Sequence, residues 1–578
     1  MRNLFKLYRN LKPFILLIVG VVALTFLQVM ANLELPTLMA NIVDNGIIAG
    51  DIGYIWKEGG YMLLIASAGG ICAIFASLMA ARTAIGLGKI VRNRLFAHVE
   101  NFSLHEFDKF GASTLLTRTT NDIVQIQTST IFFLTMIANA LFTSVGAAIL
   151  AYSADPLLTR ILYVALPVVA AVMFVVTRLV VPLFGLVQAE IDKITKVLRE
   201  NLTGIRVIRA FNRIDHEKAR FERANADVTN TYIKVNRIMA VLMPMMMLSL
   251  NIVIVAILWF GSARINSGNL SLGPMLAFMQ YALQIMVALI MLTVMFIQLP
   301  RSVAASDRIM AVLETQPEIA DAAATRQVGA ERGHVTFQDV TFSYDGGEEP
   351  ALSNTTFDAQ PGETTAIIGS TGSGKSTLVS LIPRFYDVDS GKVLVDGVGV
   401  RELSQEDLRS RIGFVPQKAV LFTGTVADNI RYGNKDASND EVAYAAKVAQ
   451  AAEFVESMPD GYATMLSEGG LNLSGGQKQR LAMARALVRR PEIYIFDDSF
   501  SALDFKTDAN LRAALKKETR DSTVIIVAQR VGSIMNADRI IVLDEGRIAG
   551  LGTHQELMKT CEVYREIVYS QLSEEELA

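Results

Sequence analysis

Long apolar runs in the first 300 residues constrain the fold of this chain more than any other feature. A helix of about 20 apolar residues crosses a bilayer, where only helices and closed barrels satisfy every backbone hydrogen bond. Charged residues make up only 19% of the 578-residue chain, against about 25% in average soluble proteins. The runs predict six spans, which are Pro13–Leu35, Gly60–Ala81, Ile131–Ser153, Ile161–Val181, Ile238–Gly261 and Leu272–Leu299.

Lysine and arginine are distributed unevenly between these spans. They cluster before the first span, between the second and third, and above all over Lys193–Arg237, between the fourth and fifth. The other connections carry only Lys57, Arg160 and Arg264. Because positively charged connections stay in the cytosol, the pattern predicts a multi-pass protein with cytosolic N- and C-termini. No transit peptide is recognisable, which favours a bacterial plasma membrane.

The composition changes after about residue 300, where the chain takes on the character of a soluble α/β protein. We therefore predict a transmembrane domain over residues 1–305, a linker over 306–333 and a second domain over 334–578. The net charge of −3 gives no bulk signal for nucleic-acid binding. Cys72 and Cys561 form neither a metal-ligand spacing nor a disulfide framework.

A glycine-rich segment, Gly369–Ser376, matches the pattern G-x4-G-K-[ST]. It follows a predicted strand and precedes a predicted helix, so its backbone N–H groups can cradle phosphates at a helix N-terminus. Lys375 would neutralise the β- and γ-phosphates, and Ser376 would ligate Mg²⁺. The other predicted ATP-binding residues of this segment are Gly369, Ser370, Thr371, Gly372, Ser373, Gly374 and Thr377.

Two later segments complete the pattern of a nucleotide site. The apolar strand Ile493–Phe496 ends at Asp497, which would hold Mg²⁺ through water, and Asp498 follows. Before that strand lies the sequence LSGGQ, Leu473–Gln477, a glycine-rich turn at the start of a predicted helix and hence a second anion site. The three segments together, in this order, predict an ATP-binding domain.

This motif order resembles the ATP-binding cassette family and, over essentially the whole chain, the family's exporters with a fused membrane domain. The resemblance implies an all-α six-helix transmembrane domain joined to an α/β P-loop NTPase domain, with ATP and Mg²⁺ as cofactors. It implies that two cassettes pair head to tail, so that each ATP lies between one chain's phosphate loop and the other chain's LSGGQ.

The same resemblance assigns roles to individual residues. Tyr344 matches the aromatic residue that stacks on adenine, and Gln417 matches the residue that links Mg²⁺ to the membrane domain. Residues 110–123 and 200–221 resemble the family's two cytosolic coupling regions. The residues implied to contact the ATP of the partner chain's site are Ser474, Gly475, Gly476, Gln477 and Asp504.

Two positions depart from the family pattern. Asp498 stands where the family usually has the glutamate that orients and deprotonates the attacking water, and its carboxylate is one methylene shorter. Gln529 stands where the family usually has a histidine that contacts the γ-phosphate, and an amide cannot become cationic. The pair predicts a slowly hydrolysing ATP site in a heterodimer with a catalytically competent half-transporter. A homodimer with two slow sites is the alternative.

The substrate is left open by the sequence. Polar residues within the spans, namely Glu34, Asn139, Asn251, Gln280 and Gln284, are candidates for a substrate pathway or for helix–helix hydrogen bonds. Methionines at Met243–Met247, Met275, Met279, Met286, Met291 and Met295 suit either an adaptable cavity or plain packing. The leading prediction is export of amphiphilic drugs, lipids or peptides. The alternatives are a homodimeric lipid flippase, an importer of a metal chelator with the exporter fold, and an ATP-gated channel or regulatory subunit.

Overall fold

A computed structural model describes residues 1–321, 326 and 332–571. The chain forms two compact units, one of Met1–Glu100 with Gly111–Gln316 and the other of Asn101–Phe110 with Pro317–Ala578. The last helix of the first unit continues to Leu313, into the predicted linker. The rest of that linker lies partly outside the described residues, at 322–325 and 327–331.

The first unit is built of helices. Five described helical segments are long and apolar enough to cross a membrane, and α8 adds a shorter apolar stretch, Pro156–Val172, which overlaps the predicted fourth span. The helices are α1 (Arg2–Tyr8), α2 (Ile15–Asn41), α3 (Ile52–Val99), α5 (Ala112–Thr117), α6 (Ile123–Phe132), α7 (Ala138–Ala154), α8 (Pro156–Thr203), α9 (Ile205–Ala210), α10 (Ile214–Asn266) and α11 (Leu272–Leu313), while α4 (Leu104–Phe110) belongs to the second unit. Short 3₁₀ and π turns join several of them, at Arg9–Phe14, Ile42–Ile48, Arg118–Asp122 and Phe133–Ile137.

The helices of the first unit continue well beyond a bilayer thickness. Helices α8 and α10 have 48 and 53 residues, so each is longer than the roughly 20 residues that a bilayer requires. Asp155 caps α8 by accepting hydrogen bonds from the backbone N–H groups of Leu157 and Leu158, and it also accepts from Arg264 Nε at 2.6 Å. This cap and ion pair fix the end of the α8–α10 hairpin next to the connection after α7.

Polar contacts also fix the other end of α11. Arg308 forms a bidentate pair with Asp122, with N···O distances of 2.8 and 2.5 Å. Asn3 donates to Asp307, and Lys6 pairs with Glu314. These contacts join α1, α11 and the turn before α6 outside the apolar spans.

The second unit contains the α/β architecture of a nucleotide-binding domain. Its main sheet has the order β12-β11-β3-β10-β9-β6, in which only the β11–β12 pair is antiparallel. Parallel strands place their carboxyl ends at one edge, where ligands of open α/β sheets bind. The main-sheet strands are β3 (Thr364–Gly369), β6 (Ile412–Val415), β9 (Ile493–Asp497), β10 (Thr523–Val527), β11 (Arg539–Asp544) and β12 (Arg547–Gly552).

A smaller antiparallel sheet of order β2-β1-β4-β5 and a two-stranded β7–β8 pair complete the strands. They are β1 (Val335–Phe342), β2 (Leu352–Ala359), β4 (Ser390–Val395), β5 (Val398–Gly399), β7 (Gly424–Thr425) and β8 (Met465–Leu466). The helices of this unit are α12 (Lys375–Leu381), α13 (Gln405–Ser410), α14 (Val426–Arg431), α15 (Asn439–Val448), α16 (Ala452–Glu456), α17 (Gly475–Leu487), α18 (Phe505–Glu518), α19 (His554–Thr560) and α20 (Glu562–Gln571).

The segment Asn101–Phe110 forms one unit with the cassette. His105 Nε2 lies 3.2 Å from an Asp345 carboxylate oxygen, and the Tyr386 hydroxyl donates to Asp108 at 3.3 Å. The coupling region predicted at 110–123 begins where this segment ends, and Gly111 and the residues after it belong to the first unit. The contacts with the cassette thus come from residues that precede almost all of the predicted region.

Candidate functional site

Four neighbouring parallel strands bring the predicted catalytic and phosphate-binding residues to one edge of the main sheet. The phosphate loop follows β3, and Asp497 ends β9, where it pairs in register with Val527 of β10. Gln529 comes two residues after β10, and Gln417 comes two residues after β6. The order β3-β10-β9-β6 therefore assembles groups that are more than 150 positions apart in the sequence.

The phosphate loop has the conformation that its glycines predict. Gly374 has a φ of 95° and comes directly before α12, and a Cβ there would lie 2.5 Å from the Ala351 carbonyl oxygen. The Lys375 ammonium donates to the carbonyls of Gly369 and Ser370, at 2.9 and 2.6 Å. Burial lowers the pKa of Lys375, while the nearby carboxylates of Asp498 and Asp497 oppose that shift. The lysine is thus held within the loop, where a phosphate can meet it.

Of the three residues predicted to hold Mg²⁺, Ser376 and Asp497 are in contact, while Gln417 donates to the adjacent Asp498. The Ser376 hydroxyl donates to an Asp497 carboxylate oxygen at 2.9 Å. Burial raises the pKa of Asp497, and the hydrogen bond from Ser376 opposes this shift. Mg²⁺ prefers oxygen ligands and usually binds through one or two carboxylates together with phosphates and water. One hydroxyl and one buried carboxylate beside a phosphate loop fit that requirement.

Asp498 accepts two amide hydrogen bonds at the same carboxylate oxygen. Gln529 Nε2 donates to Oδ2 at 2.8 Å, and Gln417 Nε2 donates to it at 3.3 Å. The backbone of Asp498 has a φ of 45°, and its carbonyl accepts from the Ser501 hydroxyl. Burial raises the pKa of Asp498, although the hydrogen bonds from Gln417 and Ser501 act in the opposite direction. Asp498 and Gln529, the two residues that depart from the family pattern, are therefore in direct contact.

Tyr344, the predicted adenine-stacking residue, lies close to the phosphate loop. Its hydroxyl is 3.0 Å from the Thr377 hydroxyl, in the helix that follows the loop. Its ring meets the Tyr386 ring edge-on at 5.4 Å, and Asp345, the next residue, pairs with His105. Sequence reasoning missed Tyr386 and His105, because nothing in their local spacing marks them as neighbours of Tyr344.

The LSGGQ segment starts a helix, as predicted. Ser474 caps α17, accepting from the Gln477 backbone N–H at 3.3 Å, while the Gln477 side chain accepts from the Ser474 N–H at 2.9 Å. Asp504 caps α18 in the same manner, through the N–H of Thr507. Gly475 is exposed, and Gly476 approaches the Ala502 carbonyl so closely that a Cβ would lie 2.9 Å from it. The helix start that bears the anion-binding N–H groups is therefore open to the outside of this chain.

The intramembrane polar candidates do not share one location. Asn139, Gln280 and Gln284 line one cavity of the first unit together with Met291, whereas Glu34 and Asn251 are exposed elsewhere. Of the other methionines, the side chains of Met243, Met246 and Met295 lie outside the described residues. Sequence reasoning missed Asn32, which also lines the cavity, although its position one turn from Gln28 on α2 carried that signal.

Comparison with known proteins agrees with both halves of this architecture. Residues 17–289 match the ABC transporter transmembrane region, and residues 352–501 match the ABC transporter domain. An uncharacterised ABC transporter ATP-binding protein of Mycobacterium tuberculosis is 42% identical over 573 residues, covering 98% of this chain and 97% of that protein. An ATP-dependent lipid A-core flippase of Chromobacterium violaceum is 33% identical over 581 residues, covering 99% and 98%.

A solved structure shows the same fold over nearly the whole chain. The structure of a bacterial Atm1-family ABC exporter with ATP bound superposes with a TM-score of 0.81 at 26% identity, covering 96% of this chain and 98% of that one. Together with the full-length relatives, this match shows that both halves and their order are shared. The chain therefore belongs to the ATP-binding cassette transporter family, as an exporter-type half-transporter whose transmembrane region and ATP-binding domain are fused.

Proposed function

We propose that this chain is the slowly hydrolysing subunit of a heterodimeric exporter of amphiphilic small molecules. The observation that carries the proposal is the pair of amide hydrogen bonds to Asp498 Oδ2. A general base must reach the water whose proton it takes, within about 2.6–3.2 Å. The Asp498 side chain is short, and Gln529 and Gln417 both donate to one of its two carboxylate oxygens, so it is poorly placed for that task.

The residues of the same site that would contact the phosphates and Mg²⁺ support the proposal that the site still binds ATP. Lys375 supplies a positive charge to the phosphates, and the loop supplies backbone N–H groups at the start of α12. Ser376 and Asp497 are the residues that would hold Mg²⁺, and the side-chain oxygen of Gln417 would be a third ligand. The bound ion would neutralise charge that develops on the transferred phosphoryl group.

Two exposed apolar surfaces support a second half-transporter as partner. Beside the LSGGQ helix, Leu471 is 82% exposed, and Phe505 at the start of α18 is 81% exposed. At the far end of the α8–α10 hairpin, Leu202 and Phe211 are exposed by 76% and 74%. Large apolar side chains at this degree of exposure, next to a functional motif, favour an interface with another chain.

The distribution of basic residues supports the placement of the chain in the membrane. We place the spans in a bacterial plasma membrane with both termini in the cytosol, because the basic connections and the cassette then share one side. A homodimeric lipid flippase remains the second candidate, and the relatives described as lipid A-core flippases support it.

The test is the ATPase activity of the purified chain, alone and with a partner. Alone, it should bind a fluorescent ATP analogue but turn ATP over slowly. Assembly with a half-transporter that carries glutamate and histidine at the positions of Asp498 and Gln529 should raise turnover strongly. Brisk Mg²⁺-dependent turnover by the chain alone would contradict the slow site and with it the heterodimer.

A further inference from the structure

We propose that a cavity between α2, α3, α7 and α11 binds uncharged amphiphiles that carry amide or hydroxyl groups. This inference rests on the proposed export function and narrows its substrate class. The cavity has a volume of about 600 Å³, which suits one small molecule. Five polar side chains line it, and these are Asn32, Asn139, Thr143, Gln280 and Gln284.

Three of these amide side chains form no hydrogen bond within the described residues. Asn32, Gln280 and Gln284 form no side-chain hydrogen bond with any residue in the described part of the chain, whereas Asn139 accepts a 3.4 Å bond from Thr143. Asn32 and Gln280 are exposed and Gln284 is half-buried, so their amide groups are open to hydrogen-bond partners that enter the cavity. A ligand with amide or hydroxyl groups supplies both donors and acceptors to them.

The lining also excludes charged ligands. Among the described residues, its lining contains no lysine, arginine or histidine that could neutralise a phosphate or carboxylate, and no aspartate or glutamate that could pair with a cation. The described lining residues include no aromatic ring either, so a quaternary ammonium group would find no cation–π contact with them. Burial of an unpaired charge is far more costly than burial of a hydrogen-bonded amide, and the cavity therefore selects for neutral ligands.

The apolar part of the lining suits ligands of variable shape. Met39, Met62 and Met291 line the cavity, and methionine side chains adapt to irregular apolar surfaces. A second cavity of about 220 Å³ shares Asn139 and Met291 with the first. It continues the neutral lining with Thr25 and Gln28 of α2. From Thr25 to Met39 the shared face of α2 extends about 21 Å, at about 1.5 Å per residue, which is long enough for an elongated amphiphile.

Binding of three matched fluorescent probes tests the site. Each is a dansyl-labelled alkyl chain, and the chains end in a primary carboxamide, a carboxylate or a trimethylammonium group. The full-length chain in neutral-lipid nanodiscs should bind the carboxamide probe at least about tenfold more tightly than either charged probe. Gln284→Met and Asn139→Leu should each weaken carboxamide binding about tenfold, because each removes a hydrogen-bonding group and keeps a similar volume.

The controls distinguish binding in the cavity from binding elsewhere in the membrane and from export. Asn251→Leu removes an intramembrane amide outside the cavity and should leave binding within about twofold. Gln284→Arg should reverse the preference towards the carboxylate probe, and retained ATP binding shows that each variant is folded. Equal binding of all three probes, or no effect of Gln284→Met, Asn139→Leu and Gln284→Arg in folded protein, overturns the assignment. Selective binding without ATP-driven uptake into vesicles by the assembled transporter supports the site and counts against export.

Discussion

The phosphate-loop side and the LSGGQ side of the cassette differ in how far this chain completes them. On the loop side, Lys375, Ser376 and Asp498 all have hydrogen-bond partners within the chain, and Asp498 is only 8% exposed. On the LSGGQ side, the helix start is open, and Leu471 and Phe505 project outward. The loop-side groups thus form hydrogen bonds within the chain, whereas the start of the LSGGQ helix is exposed at its surface.

Under the proposed function, this difference separates ATP binding from hydrolysis. The loop side keeps its lysine, its glycines and the oxygens that would bind Mg²⁺, and it departs from the family pattern at Asp498 and Gln529. The LSGGQ side keeps every residue of its motif. We therefore expect changes on the LSGGQ side to affect turnover more than changes at Asp498.

The largest expected effect comes from Ser474→Arg. The arginine side chain would occupy the space in which the α17 N–H groups approach the partner's γ-phosphate. Loss of such preorganised donors costs about 10²–10³-fold in rate, so steady-state ATPase of the assembled pair should fall by at least about a hundredfold. Ser457→Arg, at another exposed serine of the cassette, is the matched control. A loss no greater than that of the control would remove the LSGGQ side from catalysis.

Lys375→Ala should weaken ATP binding by this chain alone by about a hundredfold. The substitution removes the charge-assisted hydrogen bonds that the ammonium makes, each worth about 1.5–3 kcal/mol. Titration with a fluorescent ATP analogue measures the effect, and Lys447→Ala on the exposed surface of α15 is the control. Unchanged affinity would mean that the loop side does not bind the phosphates.

The double substitution Asp498→Glu with Gln529→His should raise turnover of the chain's own site about tenfold. Glutamate extends the carboxylate by about 1.5 Å, and histidine removes the amide that holds it. Each single substitution should raise turnover by less than it would if the two effects were independent, because the two side chains are in direct contact. A double-mutant cycle on ATPase rates checks this coupling. Additive effects would show that the Gln529–Asp498 contact does not restrain the carboxylate.

Asp498→Asn should have the smallest effect, a change of less than about twofold in the ATPase of the assembled pair. The asparagine oxygen can still accept from Gln529 and Gln417, so the local hydrogen bonds survive. A loss larger than that of Ser474→Arg would contradict the assignment of the slow site to this chain.

The sequence by itself determined the features that depend on local pattern. Apolar runs predicted five helical segments that the structure shows as long and apolar enough to cross a membrane, because that capacity depends on length and hydropathy alone. The phosphate loop and the LSGGQ cap were equally predictable, since glycines at fixed offsets dictate the backbone and Ser474 finds its capping partner three residues away. The departures at Asp498 and Gln529 from the family pattern are also features of local sequence.

Only the tertiary structure decided which distant residues meet. The Gln417–Asp498 contact joins positions 81 residues apart and depends on β6 lying beside β9. The union of Asn101–Phe110 with the cassette, and the cavity between four helices, likewise depend on packing. Periodicity reports which face of a helix is apolar, but it does not report which helix that face will meet, because contacts between elements depend on chain topology and side-chain fit.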